Sequence, residues 1–242
     1  MNKSTVGLFL LILLIPLQLF ANDETDFKLH FDNGYHYSEE SHWDDAIREY
    51  STAVKIKPSN ATAHFDLSLS YYNKYMQVID ENMKTELYRF FSNRKESELN
   101  SEQKVVNGED ALTKELHNKA FQEWQKTVEL DDSFWGAHYF LGSTYCNNGD
   151  YEKAEKEYKK VIDLKPDYVN SYSYLGTLYE KTNRINLAIT YHEKAITIDP
   201  SSEEDHYELW LLYNKSGLNN KAKQHYDFLK SRKSVFINQY QE

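Results

Sequence analysis

One feature constrains this chain before any other: residue types return every 34 positions. Tyr145, Tyr179 and Tyr213 are spaced by 34, as are Ala154, Ala188 and Ala222. Pro166 returns as Pro200, Gly142 as Gly176 and, upstream, Tyr37 as Tyr71. Gly34, Tyr37, Ala46, Tyr50 and Pro58 keep the internal offsets of Gly142, Tyr145, Ala154, Tyr158 and Pro166. A fixed period of this size marks stacked supersecondary units, each too small to bury its apolar face alone.

The offsets have physical reasons. Let Phe27, Ala61, Trp135, Val169 and Glu203 be position 1 of successive units. Positions 4, 7, 8 and 11 then share one face of a first helix, A, because helix neighbours recur every three or four residues. Gly142 and Gly176 at position 8, with Ala46, Ala120, Ala154, Ala188 and Ala222 at position 20, let helix A approach a second helix, B. Tyr50, Trp124, Tyr158 and Tyr226 at position 24 fill the space between units. Pro58, Pro166 and Pro200 end helix B, since proline cannot continue a helix.

The pattern L-G-x2-Y, then Ala, then an aromatic, then Pro resembles the tetratricopeptide repeat (TPR), a helix–turn–helix unit. The resemblance runs from about Phe27 to about Asp227. It implies an all-α fold, a right-handed superhelical solenoid of about five repeats with an extended helical hairpin inserted in the second. The expected divisions are a signal peptide at 1–21, a spacer at 22–26, repeats at 27–60, 61–134, 135–168, 169–202 and 203–229, and a capping helix at 230–242. Composition agrees: 15% aromatic residues, 20 of them Tyr, suit recurring packing slots, and only 8 Gly and 4 Pro argue against a loop-rich all-β fold. A net charge of −10 argues against a nucleic-acid backbone as partner, which needs clustered Lys and Arg.

The opening "MNKSTVGLFLLILLIPLQLFA" has an early Lys3, an apolar run from Val6 to Leu17, Pro16 and a small Ala21, and reads as a secretory signal. The run is short for a span of about 20 apolar residues. Leu19, three positions before the break, is not small and leaves an uncleaved anchor as the alternative. Either way the chain from Asn22 is expected to work outside the cytoplasm, in the periplasm or secreted. Cys146 is the single cysteine, so no intrachain disulfide can form, and a small buried hydrophobe is its expected role.

The second unit breaks the period. From the position-11 Tyr to the position-20 Ala is 9 residues elsewhere but 49 between Tyr71 and Ala120. The insertion, about 75–113, carries Met76, Ile79, Met83, Leu87 and Phe90 at helical spacing, then a turn signal at Asn107-Gly108 with Glu109 and Asp110 suited to a following first turn. A lengthened, projecting hairpin is expected; one degenerate extra unit is the alternative. Its apolar stripe serves either self-packing or docking. Ser41 with Asp44 forms a candidate capping box for the first helix B, and Ser201 or Ser202, ahead of Glu204 and Asp205, a candidate N-cap for the last helix A. Trp210 stands where Gly is preferred, and the chain is expected to finish in a long helix exposing Lys230, Arg232 and Lys233.

His30, His64, His138 and His206 all occupy position 4. Equivalent positions of stacked helices lie about 8–10 Å apart per step, too far to share one metal ion, so they are expected to be packing residues. No phosphate loop, HExxH or GxSxG occurs. The expectations are no catalytic site, no metal and no cofactor, with an enzyme site in the insertion as a remote alternative.

In proteins of the resembled family, the face of helix A turned away from helix B lines a concave groove for peptide segments. Here that face offers Phe31, Phe65, Tyr139 and Tyr207 at position 5, Tyr35 and Leu69 at position 9, and Asp32, Asp66, Phe140, Tyr174 and Glu208 at position 6. The resemblance makes these the partner-binding candidates, apolar side chains meeting the rings and basic ones the acids. The competing role for the position-5 rings is packing against the next helix A. Family members that clamp acidic peptide tails use Lys and Asn at positions 5 and 9, and Lys and Arg at positions 2 and 6 of a later unit; no unit here has that set. The function expected is a scaffold for a protein or peptide, with membrane contact only through an uncleaved N-terminus. The alternative is an architectural subunit that oligomerises through its ends and hairpin.

Overall fold

The structure, a computed structural model, describes residues 23–92 and 111–240, and every regular element in them is helical. Residues 1–22, with the expected signal segment, and 93–110, with the Asn107-Gly108 turn, lie outside the described residues. The chain divides into two units, 1–132 and 133–242.

The first unit holds two antiparallel hairpins. Helix α1 covers 23–39 and pairs with α2, Trp43–Ile56; α3, Ala61–Ser92, pairs with α4, Ala111–Leu130. The second unit holds three: α5 (Trp135–Asn147) with α6 (Tyr151–Leu164), α7 (Val169–Lys181) with α8 (Ile185–Ile198), and α9 (Glu203–Lys215) with α10 (Asn219–Ser231). A 3-10 helix, Val235–Tyr240, follows. Helix α3 has 32 residues where α5, α7 and α9 have 13, so the insertion prolongs an existing helix without a break up to Ser92. The rest of the insertion, 93–110, lies outside the described residues.

The small residues of the repeat work as spacers. A Cβ on Gly142 would lie 2.8 Å from the ring of Tyr158, and one on Gly176 only 2.5 Å from His192, so position 8 is where the position-24 ring of helix B comes to rest. Ala46, Ala120, Ala154, Ala188 and Ala222 are all buried. In the last hairpin Trp210 takes the glycine's place, and the opposing Tyr226 is displaced to a half-buried position, its ring 5.6 Å from the indole. Each proline falls two residues after its helix: Pro58 after Ile56, Pro166 after Leu164, Pro200 after Ile198.

Position 15, between A and B, has a left-handed backbone in four hairpins: Ser41 (φ 59°), Gly149 (81°), Asn183 (58°) and Gly217 (72°). The next N–H returns in each case to the carbonyl of the position-11 tyrosine, from His42 to Tyr37 (2.9 Å), Asp150 to Tyr145 (2.8 Å), Arg184 to Tyr179 (2.7 Å) and Leu218 to Tyr213 (2.9 Å). This is a helix C-terminal lock of the Schellman kind. It corrects the expected capping box: Ser41 belongs to the end of α1, and the residue preceding α2 is His42, whose side chain caps nothing. Ser202 does cap α9, its Oγ accepting from the Asp205 N–H at 3.3 Å. The expected long final helix is two pieces, because α10 ends at Ser231 and Lys233 turns the chain at φ 55°.

Candidate functional site

In every hairpin helix A meets helix B at positions 4 and 23, through a ring contact in the fourth hairpin and a polar contact in the other four. His30 Nδ1 meets Glu49 Oε2 at 2.7 Å, His64 meets Glu123 at 2.5 Å, and His138 meets Glu157 at 2.6 Å. Each Nδ1–H donates to its carboxylate. In the fourth hairpin the pair is Tyr172 with Tyr191, ring centroids 6.4 Å apart; in the fifth it is His206 with His225, Nδ1 to Nδ1 at 2.9 Å. The position-4 histidines are therefore held one by one inside their own hairpins. His64 also points Nε2 at the Pro58 carbonyl (3.0 Å), so both ring nitrogens face acceptors and the bond to Glu123 raises its pKa. Burial lowers the pKa of His206 and brings that of His225 down to about 4.

One constellation in the second unit brings serine, aspartate and histidine together. His192 donates from Nδ1 to Asp205 Oδ1 at 2.7 Å, and Ser173 Oγ donates to Asp205 Oδ2 at 2.9 Å. The His192–Asp205 pair is buried, and Ser202 adds a third bond to the same carboxylate at 2.6 Å. Ser173 and the His192 Nδ1–H both donate to Asp205, and the buried His192 Nε2 has no hydrogen-bond partner among the described residues, Ser173 included. A nucleophilic relay would need the serine on the histidine. The arrangement instead pins α7 and α8 to the start of α9.

The open face of helix A sorts the binding candidates. In the first unit Phe31 is half-buried: its ring stands against Phe27 (5.6 Å) and edge-on to Tyr50 (5.6 Å), and it packs on the cluster that contains Ala53 and Ala63. Phe65 and Leu69 are half-buried, while Asp32 and Tyr35 are exposed, Tyr35 by 57%. Asp66 is half-buried, and burial lifts its carboxyl to about 6. In the second unit Tyr139 is wedged among Phe140 (5.2 Å), Tyr168 (5.5 Å) and Tyr174 (5.6 Å), so this position-5 ring packs against the following helix A. Tyr174 lies flat on the buried Tyr158, centroids 5.7 Å apart and planes 10° apart, and keeps 39% of its surface exposed. Tyr207 is covered by the chain's own 3-10 helix, Phe236 stacking on it at 5.3 Å. Glu208 is half-buried, and burial raises its pKa. The sequence reading missed the covering of Tyr207, which depends on where the turn at Lys233 sends the chain.

Cys146 packs against the cluster of Tyr158, Leu175 and Tyr179, and burial pushes its thiol pKa up, as suits a small apolar filler. No helix among the described residues is long and apolar enough to cross a membrane.

A TPR-repeat family model matches residues 34–74 and 142–183, and a tetratricopeptide-repeat model matches 169–202. No curated protein matches the sequence. Among solved structures, a MamA protein is similar at 21% identity and TM-score 0.62, over 90% of this chain and 96% of that one. PilF of Pseudomonas aeruginosa is similar at 16% identity and TM-score 0.57, over 87% and 78%. YrrB, described as a TPR protein with an unusual peptide-binding site, is similar at 15% identity and TM-score 0.57, over 82% and 81%. At these identities the likeness is one of fold.

Proposed function

This chain is a tetratricopeptide-repeat protein, a scaffold for protein–protein interaction, and from that premise we propose that it works outside the cytoplasm, without catalysis, holding a protein or peptide partner on the open faces of its A helices. The observation that carries this reading is Tyr174, a large ring held flat on Tyr158 and left exposed on α7. A ring fixed by a neighbour loses little freedom on binding and offers apolar area at once. Tyr35, exposed on α1, is its counterpart in the first unit. The peptide-binding site in the description of YrrB supports peptide as the ligand class. Export rests on the apolar run and Ala21 at the N-terminus. The absence of catalysis is supported by Asp205, which takes up the hydrogen bonds of both Ser173 and His192.

A photo-reactive residue at position 174 should cross-link the partner in cells. With that partner purified, Tyr174→Ala and Tyr35→Ala should each weaken binding by about 2 kcal/mol; Tyr35→Ala should leave the melting temperature unchanged, whereas Tyr174→Ala should also lower it by uncovering Tyr158. Full affinity in both variants would overturn the open-face reading. Intact mass of the native protein tests export: loss of about 21 residues is expected, and a full-length cytosolic chain would exclude it.

A further inference from the structure

Half-buried acids in this fold are matched almost everywhere. Glu49 has His30, Glu123 has His64, Glu157 has His138, and Glu155 has Lys159 at 2.7 Å and Arg184 at 2.8 Å. Asp205 has His192 and two serines. Asp66, on the open face of α3, breaks the rule: among the described residues no hydrogen bond or ion pair reaches its carboxylate. The cations of the first unit that form ion pairs among the described residues do so elsewhere: Lys57 with Glu24, Lys74 with Asp44, Arg48 with Asp45 and Glu49, Lys84 with Asp80, Lys119 with Glu115 and Lys126 with Glu129. Around Asp66 the structure gathers acceptors and rings instead. Asp66, Tyr35 and Glu39 all act on the Tyr50 hydroxyl and, after burial, help raise its pKa to about 12. Glu208 at the same position of α9 likewise has no ion pair or hydrogen bond among the described residues.

We infer that the open face of α1 and α3 around Asp66 is a subsite for one basic side chain, arginine or lysine, carried by an apolar stretch of the partner. This rests on the open-face reading proposed above and adds the ligand's chemistry to it. The occupant follows from charge complementarity. A carboxylate drawn half out of water with no cation carries an unrecovered desolvation cost. An arriving cation recovers it through a charge-assisted hydrogen bond, and the exposed Tyr35 ring offers a face on which a guanidinium or ammonium can rest. Phe65 and Leu69 on the same face of α3 receive the apolar neighbours of the basic residue.

The test uses the full chain and two labelled probes, acetyl-Leu-Phe-Arg-Leu-Phe-amide and the same peptide with citrulline, which keeps the shape of arginine without its charge. The arginine peptide should bind more tightly by about tenfold or more. Asp66→Asn should reduce that preference to within about twofold, with the helical signal unchanged, and Phe65→Ala should weaken both peptides alike. Equal binding of the two peptides, or a preference that survives Asp66→Asn, overturns the subsite. If affinity still falls with Phe65→Ala, the open face stands without its cation site. Affinity that ignores both substitutions overturns the open-face reading as well, and failure of both probes to bind overturns the subsite outright.

Discussion

The contact between positions 4 and 23 is where single side chains carry most consequence. Glu157 is half-buried on α6 and bonded to His138 at 2.6 Å. Removing the imidazole leaves a carboxylate without its partner, and such a loss costs about 1–3 kcal/mol. His138→Ala should therefore lower stability by that amount in urea unfolding, while His138→Leu combined with Glu157→Leu should cost less than the single change. The fifth hairpin behaves differently because two imidazoles face each other. His225 meets His206 at 2.9 Å, with Lys221 adding positive charge to it, Glu193 opposing and Tyr213 stacked at 5.6 Å; His206 has Arg232 and Asp205 within electrostatic reach and stacks on Phe228 at 3.7 Å. Both folded pKa values lie below the unfolded value of about 6.5, so the folded state binds fewer protons. Stability from this pair is complete above about pH 6.5 and is lost as pH falls toward 4. Amide protection factors in α10, corrected for the intrinsic slowing of exchange with falling pH, should drop between pH 7 and 5, and His206→Phe should flatten that dependence.

At the scale of the element, the recurring left-handed residue at position 15 decides how A turns into B. Glycine suits it in two hairpins and asparagine in a third, but the first uses Ser41 at φ 59°. A side chain with a Cβ costs about 1 kcal/mol in that region, apart from asparagine, which tolerates it better. Ser41→Gly should raise the melting temperature of the first unit by a few degrees, read by calorimetry, because the conformation is already the one glycine prefers. The same residue shows why local rules misled. Ser41-x-x-Asp44 has the composition of an N-cap, yet the lock to the Tyr37 carbonyl claims Ser41 for the preceding helix. Hairpin order, the lengthened α3 and the Gly–Ala–aromatic spacers were legible because a period of 34 is written into the residues. The histidine–glutamate ties were written there too, 19 residues apart in the first and third units and 59 across the insertion, but only the meeting of two helices gives that spacing meaning.

At the scale of the molecule, each unit has its own buried clusters. Those of the second, around Tyr158, Leu175 and Tyr179 and around Leu209, Tyr213 and Ala222, draw only on residues after 132. Residues 133–242 expressed alone should keep their helical circular-dichroism signal and melt cooperatively; a molten profile would show that the cores are not self-sufficient. The candidate site was only partly legible at this scale. Asp66 and Tyr174 were foreseeable as residues of an open face, but not the missing cation at one or the stacked support beneath the other, since neither belongs to the repeat consensus. The covered Tyr207 was not foreseeable at all, and it bears on how such a chain can grow. Phe236 and the buried Ile237 lie where a further helix A would have to dock on α9 and α10. A second copy of residues 169–202 spliced in ahead of α9 would bring its own serine and histidine to Asp205, whereas a segment placed directly after α10 would meet a berth already taken by Phe236 and Ile237. Lengthening by duplication is thus open ahead of α9 and closed directly after α10.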